Sequence, residues 1–169
     1  MSGHTRVLEP RRGPTLLVRP LRRGDVGTVA AVFDRLSDAS RRARYLGPKP
    51  ALSGEELQKL ATVDGRHHVL VGYLEGDPRP VAIARLVRDG GSAEIAFEVV
   101  DEHQLRGIGS ALTAELLVDA RAAGITEITA LVANDNPAAL ALLRRVLDAL
   151  DVRFDGPELL VRAAVPAGC

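Results

Sequence analysis

The side chains that could do chemistry in this sequence are concentrated in residues 92–110, which read SAEIAFEVVDEHQLRGIGS. Glu94, Ala96 and Glu98 alternate there with apolar residues, and a period of two is typical of a half-buried β-strand. The alternation puts both carboxylates on one face of the strand. A carboxylate placed among apolar groups can take a proton from an amine and so act as a general base. The alternative is that both side chains point into solvent, as most carboxylates do.

A turn that contains two glycines follows this strand. After a polar turn at residues 101–103 the sequence continues QLRGIGS, and apolar residues then recur at helical spacing. The first N–H groups of a helix lack partners within the helix, so such a turn can bind phosphate, and Gly107 and Gly109 leave room for its approach. The spacing is neither that of a dinucleotide fingerprint nor that of a P-loop. A turn whose glycines only permit tight packing is the alternative interpretation.

The segment AEIAFEVVDEHQLRGIGSAL resembles the acetyl-CoA-binding core of the GNAT acetyltransferase superfamily, whose signature is Q/R-x-x-G-x-G/A after a strand. The stretches LSDASRRARYL, LSGEELQKLATVD and AEIAF are similar to the acetyltransferase domain of bacterial protein lysine acetyltransferases. The resemblance covers roughly residues 16–165. It implies the GNAT fold, acetyl-CoA as the acyl donor and an amine as the acceptor.

The resemblance also implies which residues hold acetyl-CoA. Two parallel strands splay apart in GNAT enzymes, and backbone groups at Val99 and Val100 would pair there with the pantetheine arm. Asn136 matches the asparagine of the family that touches the cofactor arm. The pyrophosphate would be wrapped by backbone N–H groups of Gln104, Leu105, Arg106, Gly107, Ile108, Gly109 and Ser110.

Catalytic residues follow from the same resemblance. Glu94 occupies the AEIAF position that carries the base in the protein lysine acetyltransferases, and Glu98 is either a reserve base or a residue that steers a cationic substrate. Many GNAT enzymes carry a tyrosine general acid seven residues after the asparagine, where this chain has Leu143. Water, the protonated amine product or Tyr45 would then have to protonate the departing thiolate. The protein lysine acetyltransferases also lack that tyrosine.

We therefore predict an acetyl-CoA-dependent N-acetyltransferase that acts on a primary amine, and the acceptor we expect is a protein lysine side chain. A non-catalytic acyl-CoA-binding module, suggested by Leu143, and an acetyltransferase of small-molecule amines are the alternatives. A length of 169 residues leaves no room for the cyclic-nucleotide-binding or acyl-CoA-synthetase-like domain that many members of the subfamily carry. Regulation by a fused domain of that kind is not expected.

The rest of the sequence predicts an α/β (α+β) fold with a mixed, mostly antiparallel sheet of about seven strands and helices on both faces. Residues 1–14 are expected to be a flexible lead-in, and residues 15–169 a single domain. Helix starts are predicted near Asp25, at Ser37, at the capping box that begins with Ser53, after the glycine turn and at Asn136. Strands are predicted at residues 15–19, 68–74, 81–87, 92–99, 125–133, 152–154 and 159–165.

Composition excludes several other classes of protein. Lysine plus arginine and aspartate plus glutamate each number 22, so no net charge favours nucleic acid. An apolar run of 18 residues and a signal-peptide core are both missing, which predicts a cytoplasmic protein without a membrane segment. The single cysteine, Cys169, excludes an internal disulfide and a cysteine-based metal cluster. Exposed strands and a net charge of zero permit a homodimer without requiring one.

Two further groups of residues invite a functional interpretation. The histidines His67, His68 and His103 could be metal ligands, but no acidic cluster joins them and we predict no metal site. The arginines Arg41, Arg42 and Arg44 could gather an acidic substrate or a ribose phosphate. A solvated helix face is the interpretation we prefer for them.

Overall fold

The computed structural model describes residues 3–167, and Met1, Ser2, Gly168 and Cys169 lie outside the described residues. The described chain forms one sheet with helices packed against it. The strands are β1 (Arg6–Leu8), β2 (Leu16–Pro20), β3 (His67–Leu74), β4 (Pro80–Asp89), β5 (Ser92–Val99), β6 (Glu127–Ala133), β7 (Asp151–Asp155) and β8 (Glu158–Ala164). The helices are α1 (Val26–Asp34), α2 (Asp38–Tyr45), α3 (Gly54–Leu60), α4 (Ile108–Ala122) and α5 (Pro137–Val146).

The sheet has the order β1-β2-β3-β4-β5-β6-β8-β7, and β5 with β6 is its parallel pair. Residues 80–86 of the central strand β4 are all buried. Because successive side chains of a strand point to opposite faces, this continuous burial means that both faces of the sheet are covered. α1 packs against β4 and α3, whereas α4 packs against β3, β4, β5 and α5. The predicted fold class is confirmed.

The parallel pair separates soon after it begins. β5 and β6 are paired from Ser92, opposite Glu127, to Glu94, opposite Thr129. Beyond that point β5 continues to Val99 and β6 to Ala133 without pairing to each other. The predicted splayed strand pair is therefore present, with Glu94 at the fork.

The N-terminal segment differs from the prediction. Arg6–Leu8 forms a strand that pairs with β2, so the sheet has eight strands rather than about seven. Arg6 also donates hydrogen bonds to Glu115, at 2.5 Å, and to Asp119, at 3.1 Å, in α4. The prediction that residues 1–14 form a flexible lead-in is thus wrong for Arg6–Leu8. Three residues are too few to show a period, and the partners of Arg6 lie 109 and 113 positions away.

Local sequence explains where the helices around the site begin. The Ser37 side chain accepts a hydrogen bond from the Ser40 N–H and caps α2, and the predicted capping box between Ser53 and Glu56 is present at α3. Asn136 caps α5 and Pro137 follows at the first helical position. Side-chain oxygens of these cap residues bind N–H groups that the helix itself leaves free.

Among residues 3–167, no helix combines the length and the apolar character needed to cross a bilayer.

Candidate active site

A cleft of about 330 Å³ opens where β5 and β6 separate. The two strands form its floor, α2 forms one wall, α5 forms the other, and the turn before α4 closes one end. The residues predicted for the site that line this cleft are Glu94, Glu98, Val99, Gln104, Leu105, Gly107, Gly109, Ser110 and Asn136. The fold therefore brings the two carboxylates and the glycine turn to one cavity.

The backbone of β5 determines which peptide groups face this cleft. The Val100 N–H donates to the Val81 carbonyl of β4 at 2.9 Å, and Val100 is buried outside the cleft lining. Because N–H groups of an antiparallel pair alternate in direction, those of Phe97 and Val99 point away from β4 and toward the separated side. The structure thus places Val99 at the cleft but, contrary to the prediction, not Val100. Phe97 was missed, although the same alternation could have indicated it.

The turn at residues 104–110 adopts backbone conformations that favour glycine. Gly107 has φ of +80° at the N-cap of α4, and Leu105 has φ of +58° although it is not a glycine. The Leu105 side chain is 96% exposed. A Cβ atom at Gly109 would lie 2.9 Å from a Leu142 methyl carbon and 3.2 Å from a Val99 methyl carbon. The turn is therefore compact, and the first N–H groups of α4 are left without partners inside the helix.

Two residues of the turn do not line the cleft. Ile108 is buried in the core, and Arg106 lies outside the cleft lining, where its guanidinium contacts His103 Nδ1 at 3.0 Å. Sequence spacing identified the turn, but it does not give the direction of each side chain.

The N-terminal segment packs against the same turn. A Cβ atom at Gly107 would lie 2.7 Å from the Arg12 carbonyl oxygen, and a Cβ atom at Gly13 would collide with the Arg106 carbonyl oxygen. Gly13 has φ of +126°, a conformation open to glycine. Two glycines thus allow two backbone segments to touch, and the segment predicted to be flexible supports the turn from outside.

Hydrogen bonds also join the turn to α2. The Gln104 amide nitrogen donates to the Val99 carbonyl at 2.9 Å and to the Ser40 hydroxyl at 3.0 Å. The Asp101 carboxylate accepts from the Ser37 N–H and hydroxyl, both at 2.7 Å, and from the Ser40 hydroxyl at 3.0 Å. Burial alone would raise the pKa of Asp101, but these hydrogen bonds lower it overall.

Helix α5 with its N-cap residue, one wall of the cleft, contains two positions to which the family resemblance assigned a role. Asn136 lines the cleft, and its Oδ1 accepts from the Ala139 N–H at 3.1 Å, so the second lone pair of this oxygen and the amide nitrogen are left for a ligand. Leu143, at the position where many GNAT enzymes have tyrosine, is fully buried in the core, whereas Leu142 lines the cleft. The position of that tyrosine does not face the cleft in this chain.

The two carboxylates of β5 have different surroundings. Glu94 is exposed at the fork, and within residues 3–167 it makes no side-chain hydrogen bond or ion pair. Glu98 is 5% exposed, and its oxygens lie 3.4 Å from Arg44 Nε and 3.8 Å from Arg85 Nη2. The Glu94 side chain is therefore exposed, as the alternative interpretation expected, whereas the charge of Glu98 is shared between two guanidinium groups.

Tyr45 and Arg85 complete a buried cluster around Glu98. Burial lowers the pKa of Arg85, and the Glu98 charge offsets part of this effect. Burial and then the negative charge of Glu98 raise the pKa of Tyr45 to about 12, so its hydroxyl is neutral at neutral pH. Tyr45 is outside the cleft lining, which removes the contact that a general acid for the departing thiolate would need.

The three arginines of α2 have three different environments. Arg41 stacks on the Phe33 ring at 4.2 Å and donates to the Phe33 and Pro50 carbonyls. Arg42 is exposed, as expected of a solvated face. Arg44 is largely buried and lines the cleft, so the interpretation of a solvated face is wrong for this residue.

The three histidines considered as metal ligands each contact a different side chain. His67 Nδ1 lies 2.8 Å from Asp64, His68 Nε2 lies 2.7 Å from Asp119, and His103 contacts Arg106. Across residues 3–167, no group of three histidine, cysteine, aspartate or glutamate side chains is arranged to hold a metal ion.

Comparison with known proteins identifies the family. A model of the Acetyltransferase (GNAT) family matches residues 32–148. The chain is 35% identical over 164 residues to Acetyltransferase Pat of Mycolicibacterium smegmatis, an alignment that covers 94% of this chain and 48% of that protein. It is 30% identical over 121 residues to Acetyltransferase PA5475 of Pseudomonas aeruginosa, covering 69% of this chain and 65% of the other. The chain thus spans about half the length of the M. smegmatis relative.

The fold agrees with these matches. The crystal structure of the GNAT domain of S. lividans PAT superimposes with a TM-score of 0.83 and 25% identity, covering 95% of this chain and 96% of that domain. The chain belongs to the GNAT family of acetyltransferases. Members of this family are acetyltransferases that use acetyl-CoA as the acyl donor, and both curated relatives are named acetyltransferases.

Proposed function

We propose that this chain acetylates primary amines of protein lysine side chains, with Glu94 as the general base. The observation that carries the assignment of the base is the position of Glu94, an exposed carboxylate at the fork where β5 and β6 separate. The resemblance of residues 36–46, 52–64 and 93–97 to bacterial protein lysine acetyltransferases supports lysine as the acceptor.

The proposed reaction is a direct transfer within the cleft. The Glu94 carboxylate removes a proton from the acceptor ammonium, directly or through a water molecule, because only the neutral amine is a nucleophile. The amine nitrogen then bonds to the acetyl carbon, the carbon–sulfur bond breaks and coenzyme A departs as a thiolate. The newly acetylated nitrogen then gives up its excess proton, which reaches the thiolate sulfur directly or through water.

The phosphate groups of acetyl-CoA would bind at the turn before α4. The conformations of Leu105 and Gly107 and the free N–H groups of the first helical turn support this placement. The pantetheine arm would pair with the backbone of Phe97 and Val99, where β5 has lost its neighbour.

The acceptor class is tested with a panel of amines at saturating acetyl-CoA. The panel contains a peptide with one lysine and a blocked N-terminus, and the same blocked peptide with that lysine replaced by arginine. A polyamine and free amino acids complete the panel. Products are counted by mass spectrometry. We expect the highest specificity constant for the lysine peptide, and higher values for polyamines or amino acids would indicate a small-molecule enzyme instead.

The base is tested with Glu94→Gln. General base catalysis typically contributes 10²–10⁴-fold, so we expect kcat to fall by at least about a hundredfold while acetyl-CoA affinity is unchanged. Glu127→Gln is the matched control, since Glu127 is an exposed strand glutamate that does not line the cleft. Full turnover of Glu94→Gln at saturating substrate and across pH would exclude Glu94 as the base.

A further inference from the structure

The α2 wall of the cleft contains a guanidinium that the transfer reaction does not use. The Arg44 side chain is 15% exposed and lines the cleft, and its Cζ lies 4.8 Å from the Tyr45 ring. Its Nε is 3.4 Å from Glu98 and is buried without a hydrogen-bond partner. Over residues 3–167, the Arg44 guanidinium makes no hydrogen bond to a protein acceptor.

Charge around this guanidinium is not balanced. Arg44 and Arg85 share the single carboxylate of Glu98, and the Tyr45 hydroxyl is neutral. Arg85 Nη1 already donates to the Leu60 carbonyl at 2.7 Å. Both Glu98 oxygens are buried without hydrogen bonds. One positive charge is therefore in excess, and buried polar groups of this kind are normally satisfied by water or by a ligand.

The position of Arg44 indicates which ligand it meets. Ser40, one helical turn earlier, bonds to Gln104 of the phosphate turn. Arg44 is about 6 Å further along α2 and contacts Glu98, which shares a face of β5 with Glu94. Arg44 thus lies beyond the phosphate end of the cleft, on the side where the acceptor amine must approach the base.

We propose that Arg44 determines acceptor specificity by binding a carboxylate beside the reacting lysine, so that lysines flanked by aspartate or glutamate are preferred. A guanidinium with free donors binds a carboxylate through two parallel charged hydrogen bonds, which a neutral or cationic neighbour cannot form. This inference rests on the proposed lysine acetyltransferase activity.

The test uses blocked peptides with one lysine, flanked on one side and then on the other by Asp, Asn or Lys. Each peptide is assayed at saturating acetyl-CoA with the wild type, Arg44→Gln, Arg44→Lys and the control Arg42→Gln, which changes an exposed arginine of the same helix. We expect the wild type and Arg42→Gln to prefer Asp over Asn by about tenfold in kcat/KM, and Asp over Lys by more.

In Arg44→Gln that preference should fall to within about twofold, with acetyl-CoA affinity unchanged, and Arg44→Lys should keep part of it. A general loss of activity from a packing defect would lower all peptides alike and leave their ratio intact. Equal rates on the three peptides in the wild type, or an acid preference that Arg44→Gln keeps, would overturn the inference while leaving lysine acetylation in place. Acetylation of no lysine peptide at all would refute the proposed function and this inference together.

Discussion

The two ends of the cleft are built in different ways. At the phosphate end, one continuous segment, residues 104–110, supplies backbone N–H groups held by Leu105 and Gly107 in positive-φ conformations. At the acceptor end, side chains from α2, β4 and β5 meet at Glu98, and Glu94 stands apart at the fork. Under the proposed function, donor binding would depend on local chain conformation, whereas acceptor recognition would depend on buried charge.

The largest change in stability is expected at the acceptor end. Glu98→Gln leaves Arg44 and Arg85 without a counter-charge in a buried site, and removal of one partner from such a pair typically costs 3–5 kcal/mol. We expect the free energy of unfolding to fall by about 3 kcal/mol in urea denaturation. In Glu94→Gln, which changes an exposed carboxylate on the same strand face, the free energy of unfolding should fall by less than about 0.5 kcal/mol. Equal losses of unfolding free energy in the two variants would mean that water already hydrates the charges of the Glu98 cluster.

A smaller effect, with a clear functional signature, is expected at the phosphate end. Gly107 and Gly124 flank α4 with nearly equal φ values of +80° and +79°, so the backbone conformation alone should cost alanine at either site about 1–2 kcal/mol of stability. Only at Gly107 does the added Cβ also approach another backbone, 2.7 Å from the Arg12 carbonyl, whereas at Gly124 it meets open space.

Gly107→Ala should therefore weaken acetyl-CoA binding by about tenfold, and Gly124→Ala should leave it unchanged. Calorimetric titration of both variants measures this difference. Equal affinities would show that the exact path of the turn does not matter for the donor.

The smallest expected effect concerns the hydrogen bonds that join the two ends through α2. Asp101→Asn weakens the bonds to Ser37 and Ser40 and should cost about 1 kcal/mol at neutral pH. Because the pKa of Asp101 is lower in the folded protein than its ordinary value, its stabilisation is present above that value and is lost as pH falls through the folded pKa. The difference between the variant and the wild type should thus shrink as the pH is lowered past the ordinary aspartate value of about 3.9. Urea denaturation at pH 7, 4 and 3 tests this, and a difference in the free energy of unfolding that is the same at all three pH values would exclude the carboxylate as its source.

The elements that the sequence predicted correctly depend on residues that are close together in the chain. The alternation around Glu94, the turn with Gly107 and the start of α5 at Asn136 each lie within a few residues of their own signal. Short-range rules of periodicity and capping therefore sufficed for β5, α4 and α5.

The features that the sequence did not predict depend on distant partners. The cluster at the acceptor end joins positions 44, 85 and 98, and the strand at Arg6–Leu8 is held by carboxylates of α4. The direction of the Val100 N–H, likewise, is fixed by its bond to Val81 in another strand. None of these contacts produces a periodic pattern in the local sequence, so they can be seen only in the folded structure.

The central claim is that acetyl-CoA occupies the cleft with its phosphate groups on the turn before α4. Its most direct test is calorimetric titration of acetyl-CoA into the wild type, Ser110→Glu and Ser110→Gln, because Ser110 lines the cleft in the first turn of α4 and carries no positive-φ constraint. A carboxylate there should repel the phosphates and weaken binding on the order of a hundredfold, while the neutral variant of similar size should bind within about threefold of the wild type. Equal binding by the glutamate and glutamine variants would contradict the account and place the coenzyme elsewhere.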